Sequence, residues 1–286
     1  MPKIGIIGGS GLYELEGLKV KKKVKIKTPF GRPSSEIVIG EFENKEIAFL
    51  ARHGKAHTIP PTSINYRANI FALKVLGVER IISVSACGSF KEELKPKDFV
   101  IPLQFFDRTN QCRKMSFFVE EGIVAHVGFS EPVCNDLAQL IYKACQQAQV
   151  NVHFGGVYVN MEGPQFSTLA ESLFYKSQGF DIIGMTNLAE SKLAREAEIC
   201  YASLCAVTDY DCWHPSHETV TAQMVIENLM TNVENAKKIL KILIPLIPEE
   251  RNCKCKSALK DAIVTPLKEV PNKLKKKLKP IIGKYL

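Results

Sequence analysis

Two carboxylates stand two residues apart where an apolar run ends. Thr208-Asp209-Tyr210-Asp211-Cys212-Trp213 directly follows Tyr201–Val207. Desolvation and a neighbouring charge raise a carboxyl pKa at such a place, so the group can stay protonated and serve as a general acid. Asp209 and Asp211 are therefore candidate acid–base groups. A second segment, Arg52-His53-Gly54-Lys55-Ala56-His57, follows the apolar run Glu46–Leu50. A guanidinium fork offers two parallel charge-assisted bonds to a phosphate dianion. A third, Gly8-Gly9-Ser10-Gly11, follows Lys3–Ile7. Glycines there permit positive φ and bring backbone N–H groups close to an anion. The loop has neither the third glycine of a dinucleotide fingerprint nor the Gly-Lys-Ser/Thr ending of a P-loop.

Two further segments lie at the ends of apolar runs. Ser83-Val84-Ser85-Ala86-Cys87-Gly88-Ser89 is built of small residues that let a ligand approach the backbone. In Met161-Glu162-Gly163-Pro164-Gln165-Phe166-Ser167-Thr168, the Glu162 carboxylate can accept from sugar hydroxyls and Phe166 can stack on a flat base. Each segment alone also fits a plainer reading: an acidic surface turn, a tight strand-to-loop turn or a core aromatic.

The elements that must position these residues alternate along the chain. Lys3–Ile7, Lys19–Lys27, the hairpin Glu36–Gly40 with Glu46–Leu50, Arg80–Ser85, Asp98–Leu103, Gly155–Met161, Asp181–Met185 and Tyr201–Val207 read as strands. Ile64–Val75, Leu137–Ala148, Ser167–Gln178, Ala189–Ile199 and Val220–Ile244 read as helices. Ser167 or Thr168 is the expected N-cap of the third, with Glu171 in its first turn, and Pro245 the expected stop of the last. This alternation predicts an α/β fold with helices on both faces of a central sheet. Ligands bind such sheets where strand ends meet, which is where the five segments fall.

Composition narrows the function class. With 45% hydrophobic and 24% charged residues, the 286-residue chain can bury one substantial core. No stretch approaches the roughly 18–20 apolar residues that span a bilayer, and the glycine-rich start belongs to the fold, so a cytoplasmic location is expected. The formal charge is +8, but six lysines and no acid lie between Pro271 and Leu286. The body is then nearly neutral, which disfavours a nucleic-acid role. Residues 1–262 are expected to form one domain, with residues 247–258 as a loop leading out of it. A basic C-terminal extension over 263–286 would be solvated, amphipathic or disordered. Nine cysteines form no Cys-x-x-Cys pair, so spacing yields no metal-ligand set; Cys253-Lys254-Cys255 is the closest pair. They are reduced thiols in an ordinary cytosol and disulfides in a hyperthermophile.

Taken in order, these segments resemble the trimeric nucleoside phosphorylase family, especially its methylthioadenosine-cleaving members. The resemblance is carried by Gly8-Gly9-Ser10-Gly11-Leu12, Ala51-Arg52-His53-Gly54 with His57, Asn65-Tyr66-Arg67-Ala68-Asn69-Ile70, Ala86-Cys87-Gly88-Ser89, Glu162-Gly163-Pro164, Ala170-Glu171-Ser172, Met185-Thr186 and Thr208–Trp213, and it runs from about residue 3 to 245. It implies a single-domain, three-layer α/β/α fold with a mixed central sheet. It also implies a trimer or dimer of trimers with the active site at a subunit interface. The reaction implied is phosphorolysis of 5′-methylthioadenosine to adenine and 5-methylthioribose 1-phosphate, with phosphate as co-substrate and no metal or other cofactor.

Site roles follow from the same resemblance. Ser10, Arg52, His53, Ser85 and Thr186 would hold phosphate. Ala86 and Met185 would lie against the ribose, and Phe166 and Ser167 along the base. Asp209 would bond the departing purine nitrogen and Asp211 would support the exocyclic amine. Ala222 and Val225, with His126 of a neighbouring subunit, would meet the alkylthio group. Gln165, Leu169 and the Asn187–Ser191 stretch depart from the family pattern, and the Cys253/Cys255 pair resembles one that is disulfide-bonded in thermophilic members. The alternatives are the same chemistry on adenosine, inosine or methylthioinosine, a nucleoside-binding protein without turnover, a nucleosidase using water, and a nicotinamide-dependent dehydrogenase, which the missing third glycine disfavours.

Overall fold

The computed structural model describes residues 1–286 except 10, 11, 13, 14, 111, 112 and 216–221; for 222–227, 229 and 230 it describes the backbone alone. Its strands are β1 (Ile4–Gly8), β2 (Lys19–Val24), β3 (Ile37–Phe42), β4 (Lys45–Ala51), β5 (Arg80–Ser89), β6 (Phe99–Ile101), β7 (Gln104–Arg108), β8 (Val152–Phe154), β9 (Val157–Met161), β10 (Ile182–Gly184) and β11 (Cys200–Asp209). Its helices are α1 (Tyr66–Val75), α2 (Asn135–Gln147), α3 (Leu169–Ser177), α4 (Asn187–Glu196), α5 (Ala222–Leu246) and α6 (Asn272–Ile282).

The strands form one mixed sheet in the order β2-β3-β4-β1-β5-β10-β9-β7, with β11 also on β5, β6 on β11 and β8 on β6. The central strands β1, β5 and β11 are mostly apolar because both their faces are covered. Alternate residues serve opposite layers. Ile6, Ile82 and Leu204 pack with α2 and α5, while Ile7, Ile81 and Tyr201 pack with α1, α4 and α6. The result is the expected three-layer α/β/α arrangement.

The topology opens the sheet at one place. On one edge of β5, parallel β1 pairs with Arg80–Ser83 and antiparallel β10 pairs with Gly88–Ser89. The two strands point at each other and leave Val84–Cys87 unpaired by either. β5 is buried along its length except at Val84, Ser85 and Ala86, which are half-buried. The other edge is closed by β11, parallel from Cys200 to Asp209, with a bulge between Val207 and Asp209. Bulges re-aim side chains beside active sites, and this one delivers Asp209 opposite Gly88.

Three sequence expectations change. α5 runs through Pro245 to Leu246. Its last carbonyls are held by Lys45, whose Nζ donates to Ile244 O at 3.1 Å and Pro245 O at 3.0 Å. Residues 263–286 are packed on the domain rather than solvated or disordered. Leu274, Leu278, Ile281 and Ile282 of α6 are buried in the same core as α1 and α4, each such burial contributing about 1.5–3 kcal/mol. Ala125 bridges Ile263. The expected 247–258 loop contains a 3-10 turn at Lys254–Ser257. The expected cap of α3 is Thr168, in a full capping box with Glu171.

Candidate active site

Arg52 leaves the end of β4 and turns inward beneath the open stretch of β5. It is only 3% exposed. Its Nε donates to Glu190 Oε1 at 2.5 Å, and its Nη2 to Glu190 Oε2 at 3.3 Å and Ser83 Oγ at 2.7 Å. Nη1 donates to Val84 O at 3.0 Å. Ser83 Oγ and Tyr201 OH donate to Glu190 Oε2 at 2.7 and 2.9 Å. The buried pair is thus fully hydrogen-bonded, as burial demands. Burial alone would lower the Arg52 pKa, but Glu190 more than compensates and holds it well above the ordinary value. The guanidinium fork thus makes its paired bonds to Glu190, which orients the group. One Nη1 hydrogen remains for an anion lying over Val84.

His53 follows. Its Nδ1 donates to Ile59 O at 2.8 Å, fixing the tautomer that leaves Nε2 as acceptor. Burial, then the Arg52 charge, pushes its pKa down to about 4, so the ring is neutral at pH 7.

Ser85, in the open stretch of β5, and Thr186, just past the end of β10, are joined by Asn187, the first residue of α4. Asn187 Nδ2 donates to Ser85 Oγ at 3.1 Å, and Thr186 Oγ1 donates to Asn187 Oδ1 at 3.0 Å. Thr186 is the N-cap residue of α4, yet its side chain makes no capping bond. One first-turn amide, Leu188 N, donates instead to Asn160 Oδ1 at 3.0 Å, while the positive end of α4 as a whole still suits an anion beside Ser85. Ala86 continues β5 from Ser85 and is half-buried.

Asp209 and Asp211 sit at the far end of β11. Asp209 Oδ1 accepts from Asp211 N at 2.8 Å and Oδ2 from Thr208 Oγ1 at 2.7 Å. Burial, with a further push from Asp211, raises its pKa to about 6 despite these bonds. A Cβ on Gly88 would lie 2.8 Å from Asp209 Oδ1, so the glycine makes room for the carboxylate. Two asparagines of α5 hold the strand end: Asn228 Nδ2 donates to Thr208 O at 2.8 Å and Asn232 Nδ2 to Val207 O at 3.1 Å.

The Asp211 carboxyl meets the base segment. Its Oδ2 is buried beside the Ser172 and Ser167 hydroxyls, which pull its pKa down while burial, the larger effect, raises it. The two segments touch where Cys212 Sγ donates to Ser167 O at 3.5 Å. Phe166 is 46% exposed at the rim.

The Glu162 carboxylate is held within the protein. Its Oε1 accepts from Arg113 Nε at 2.8 Å and its Oε2 from Asn110 N at 3.2 Å. Buried Arg113 also donates to Met185 O and Glu162 O, and to Tyr66 OH at 3.3 Å. It thereby ties the ends of β9 and β10 together. Met185 packs over Gly163, whose φ of 70° and missing Cβ admit the thioether.

The fold thus gathers Arg52, His53, Ser85, Ala86, Met185 and Thr186 around the open edge of β5, and Asp209, Asp211 and Ser167 beyond it. Ser10 lies outside the described residues. Ala222 and Val225 begin α5, but their side chains are likewise outside them. His126 is exposed and donates its backbone N–H to Ala262 O at 2.8 Å. Sequence reading missed Glu190, Asn187 and Arg113. Glu190 lay inside the expected helix Ala189–Ile199 with no local sign of a partner, Asn187 lay just before it and registered only as a departure from the family pattern, and Arg113 lay in a stretch without periodicity.

Comparison with known proteins shows the family. The model of the phosphorylase superfamily matches residues 3–245. The S-methyl-5′-thioadenosine phosphorylase of Koribacter versatilis is 55% identical over 283 residues, covering 99% of this chain and 96% of that protein. A crystal structure of a methylthioadenosine phosphorylase from an antarctic soil metagenomic library superposes with a TM-score of 0.93 at 47% identity, covering 98% of each chain. The methylthioadenosine phosphorylase of Schistosoma mansoni, in complex with adenine, gives 0.85 at 38% identity, covering 91% of this chain and 96% of that one.

Proposed function

The chain belongs to the phosphorylase superfamily, and from that premise we infer that it cleaves 5′-methylthioadenosine with inorganic phosphate, releasing adenine and 5-methylthioribose 1-phosphate. Relatives of this name match it over nearly its whole length at 50% identity and above. The observation that carries the reading is the open edge of β5, with anion-binding groups on one side and a buried carboxyl of raised pKa on the other.

In this reading phosphate lies over Val84–Ala86. It is held by Ser85 and Thr186 hydroxyls, the His53 backbone, the remaining Nη1 hydrogen of Arg52, the positive end of α4 and Ser10. The ribose lies against Ala86 and Met185. The base reaches Asp209, Asp211 and Ser167, with Phe166 at its edge. Asp209 donates its proton to the purine nitrogen as the glycosidic bond lengthens, so the leaving group departs neutral. The ribosyl group becomes oxocarbenium-like, and the adjacent dianion stabilises it and then bonds to the anomeric carbon. Neither a metal nor another cofactor has a part in these steps. An apolar pocket around Ala222, Val225 and a neighbouring subunit's His126 favours methylthio over hydroxyl by roughly 10–200-fold.

The assembly is a homotrimer or a dimer of trimers. Leu169, Leu173 and Phe174 of α3 are 56%, 49% and 53% exposed, beside exposed Phe166. A contiguous apolar patch of this kind marks a protein interface, and here it adjoins the base segment. Among the described residues no helix is long and apolar enough to cross a membrane, which fits a cytoplasmic enzyme of purine and methionine salvage.

The test is adenine release from methylthioadenosine with and without phosphate. Release is expected only when phosphate is present. Equal rates in phosphate-free buffer would refute phosphorolysis in favour of hydrolysis, and tight binding without release would leave a nucleoside-binding protein.

A further inference from the structure

Four cysteines from three distant parts of the chain converge at the end of β11 opposite Asp209. Cys134 is the N-cap residue of α2, Cys200 opens β11, and Cys253 and Cys255 flank Lys254 at the 3-10 turn. Their four Sγ atoms all lie within 4.8 Å of one another. Cys134, Cys200 and Cys255 are buried, and Cys253 is partly so.

We propose that these four thiols bind one structural zinc ion in a tetrahedral site that fastens the C-terminal segment to the domain. Four thiolates at the usual Zn–S distance of about 2.3 Å span edges of roughly 3.8 Å. The observed separations, 3.2 Å between Cys200 and Cys253 and none above 4.8 Å, bracket that edge. A tetrahedral all-sulfur set suits zinc, which has no redox chemistry of its own, and the four protein ligands leave no position for substrate. On binding, four S–H groups release their protons to solvent and four Zn–S bonds form.

The surroundings suit the resulting double negative charge. Arg251 Nη1 lies 3.8 Å from Cys200 Sγ and is fixed by bonds to Glu79 O at 3.1 Å and Glu198 O at 2.8 Å. Cys134 stands at the positive end of α2 with no side-chain capping bond of its own. Backbone contacts hold the ligands in register: Cys134 N donates to Tyr201 O at 2.8 Å and Cys200 N to Glu79 O at 2.9 Å. The Cys253–Cys255 arm is brought up by Arg80, whose Nη2 donates to Glu250 O at 2.5 Å. Such outer contacts orient metal ligands. Sequence spacing hid the set because only Cys253 and Cys255 are near neighbours.

The test uses the full-length chain, produced in zinc-supplemented medium and purified with reductant and no chelator. Elemental analysis is expected to give about one zinc per chain. The double variant Cys253→Ser, Cys255→Ser is expected to lose at least about nine-tenths of it and to melt at a lower temperature. Should that variant not fold, wild-type protein exchanged into Co²⁺ serves instead, with the absorption bands of tetrahedral thiolate–cobalt as the expected result. The proposal is overturned if the wild type carries no zinc, or carries iron in its place. It is equally overturned if chain purified without reductant is, when denatured and unreduced, lighter by four hydrogens, the signature of two disulfides. Because the readout is metal content, the outcome is independent of the phosphorolysis reading.

Discussion

The backbone N–H of Asp211 donates to Oδ1 of Asp209 at 2.8 Å, and Asp211 adopts a left-handed φ of 51° beside it. The bond steadies the Asp209 carboxylate, yet burial outweighs it and the pKa rises to about 6. A carboxyl poised there is part-protonated near neutrality, which suits a general acid. Asp209→Asn is expected to lower methylthioadenosine turnover by at least about tenfold, since a strong bond to developing charge is worth more than ~1.4 kcal/mol. Rates across roughly pH 5 to 8 supply the second readout. Wild-type kcat/KM should fall as pH rises through about 6, where Asp209 loses its proton, and the Asn variant should lack that limb. The stability sign agrees. A carboxyl whose pKa is raised on folding stabilises the fold fully below its unfolded pKa and loses that contribution as pH rises through about 6. An unchanged turnover and pH profile in the variant would remove Asp209 from the reaction.

Glu190 orients Arg52 by a buried two-point bond, and in the proposed reading it thereby supports phosphate binding. Removing its charge leaves a buried guanidinium facing Ser83 and Tyr201 without a counter-ion. Glu190→Gln is therefore expected to destabilise the protein by about 3–5 kcal/mol in denaturant titrations. The fork is then free to shift, so the KM for phosphate should rise well before that for the nucleoside. A structural role alone would lower stability and leave the ratio of the two KM values unchanged.

What the sequence revealed and what it concealed follow from the range of the interactions. β1, β5 and β11 were legible because strands buried on both faces are continuous apolar runs, and the chemistry-bearing segments stand at their ends. β7, with its Gln104-Phe105-Phe106-Asp107-Arg108 sequence, and the three-residue β8 carry too little pattern to register. α6 was obscured by its lysines, although Leu274, Leu278 and Ile281 recur at helical spacing beneath them. Pairings such as Arg52 with Glu190, or Cys134 with Cys200 and Cys253, join residues far apart in the chain. No local rule anticipates them; only the sheet order brings them together.

Arg113 links the ends of β9 and β10 from one buried position. Arg113→Met would leave the Glu162 carboxylate, itself largely buried, without its cation and strip Met185 O of a donor. The expected loss is about 3–5 kcal/mol, measured by denaturant titration. Adding Glu162→Gln to that variant should recover part of it, because the stranded charge is then gone. The nucleoside KM should rise in the single variant as Met185 loses its anchor. Additive losses in the double variant would show that the two side chains do not couple.

The exposed face of α3 makes the last prediction. Leu169, Leu173 and Phe174 offer apolar area that a lone subunit leaves in water, and the adjoining loop carries Phe166 and Ser167. Burying each such side chain against a neighbour gains about 1.5–3 kcal/mol per residue. Sedimentation velocity should therefore find wild-type protein as a trimer or a multiple of three. Leu173→Glu places a charge in the middle of that contact, where desolvation without a partner is costly. It should shift the distribution toward monomer at micromolar concentration and lower turnover in parallel, since the base segment loses the surface that orders it. A wild type that sediments as a fully active monomer would show that α3 is no subunit contact and that one chain completes its own site.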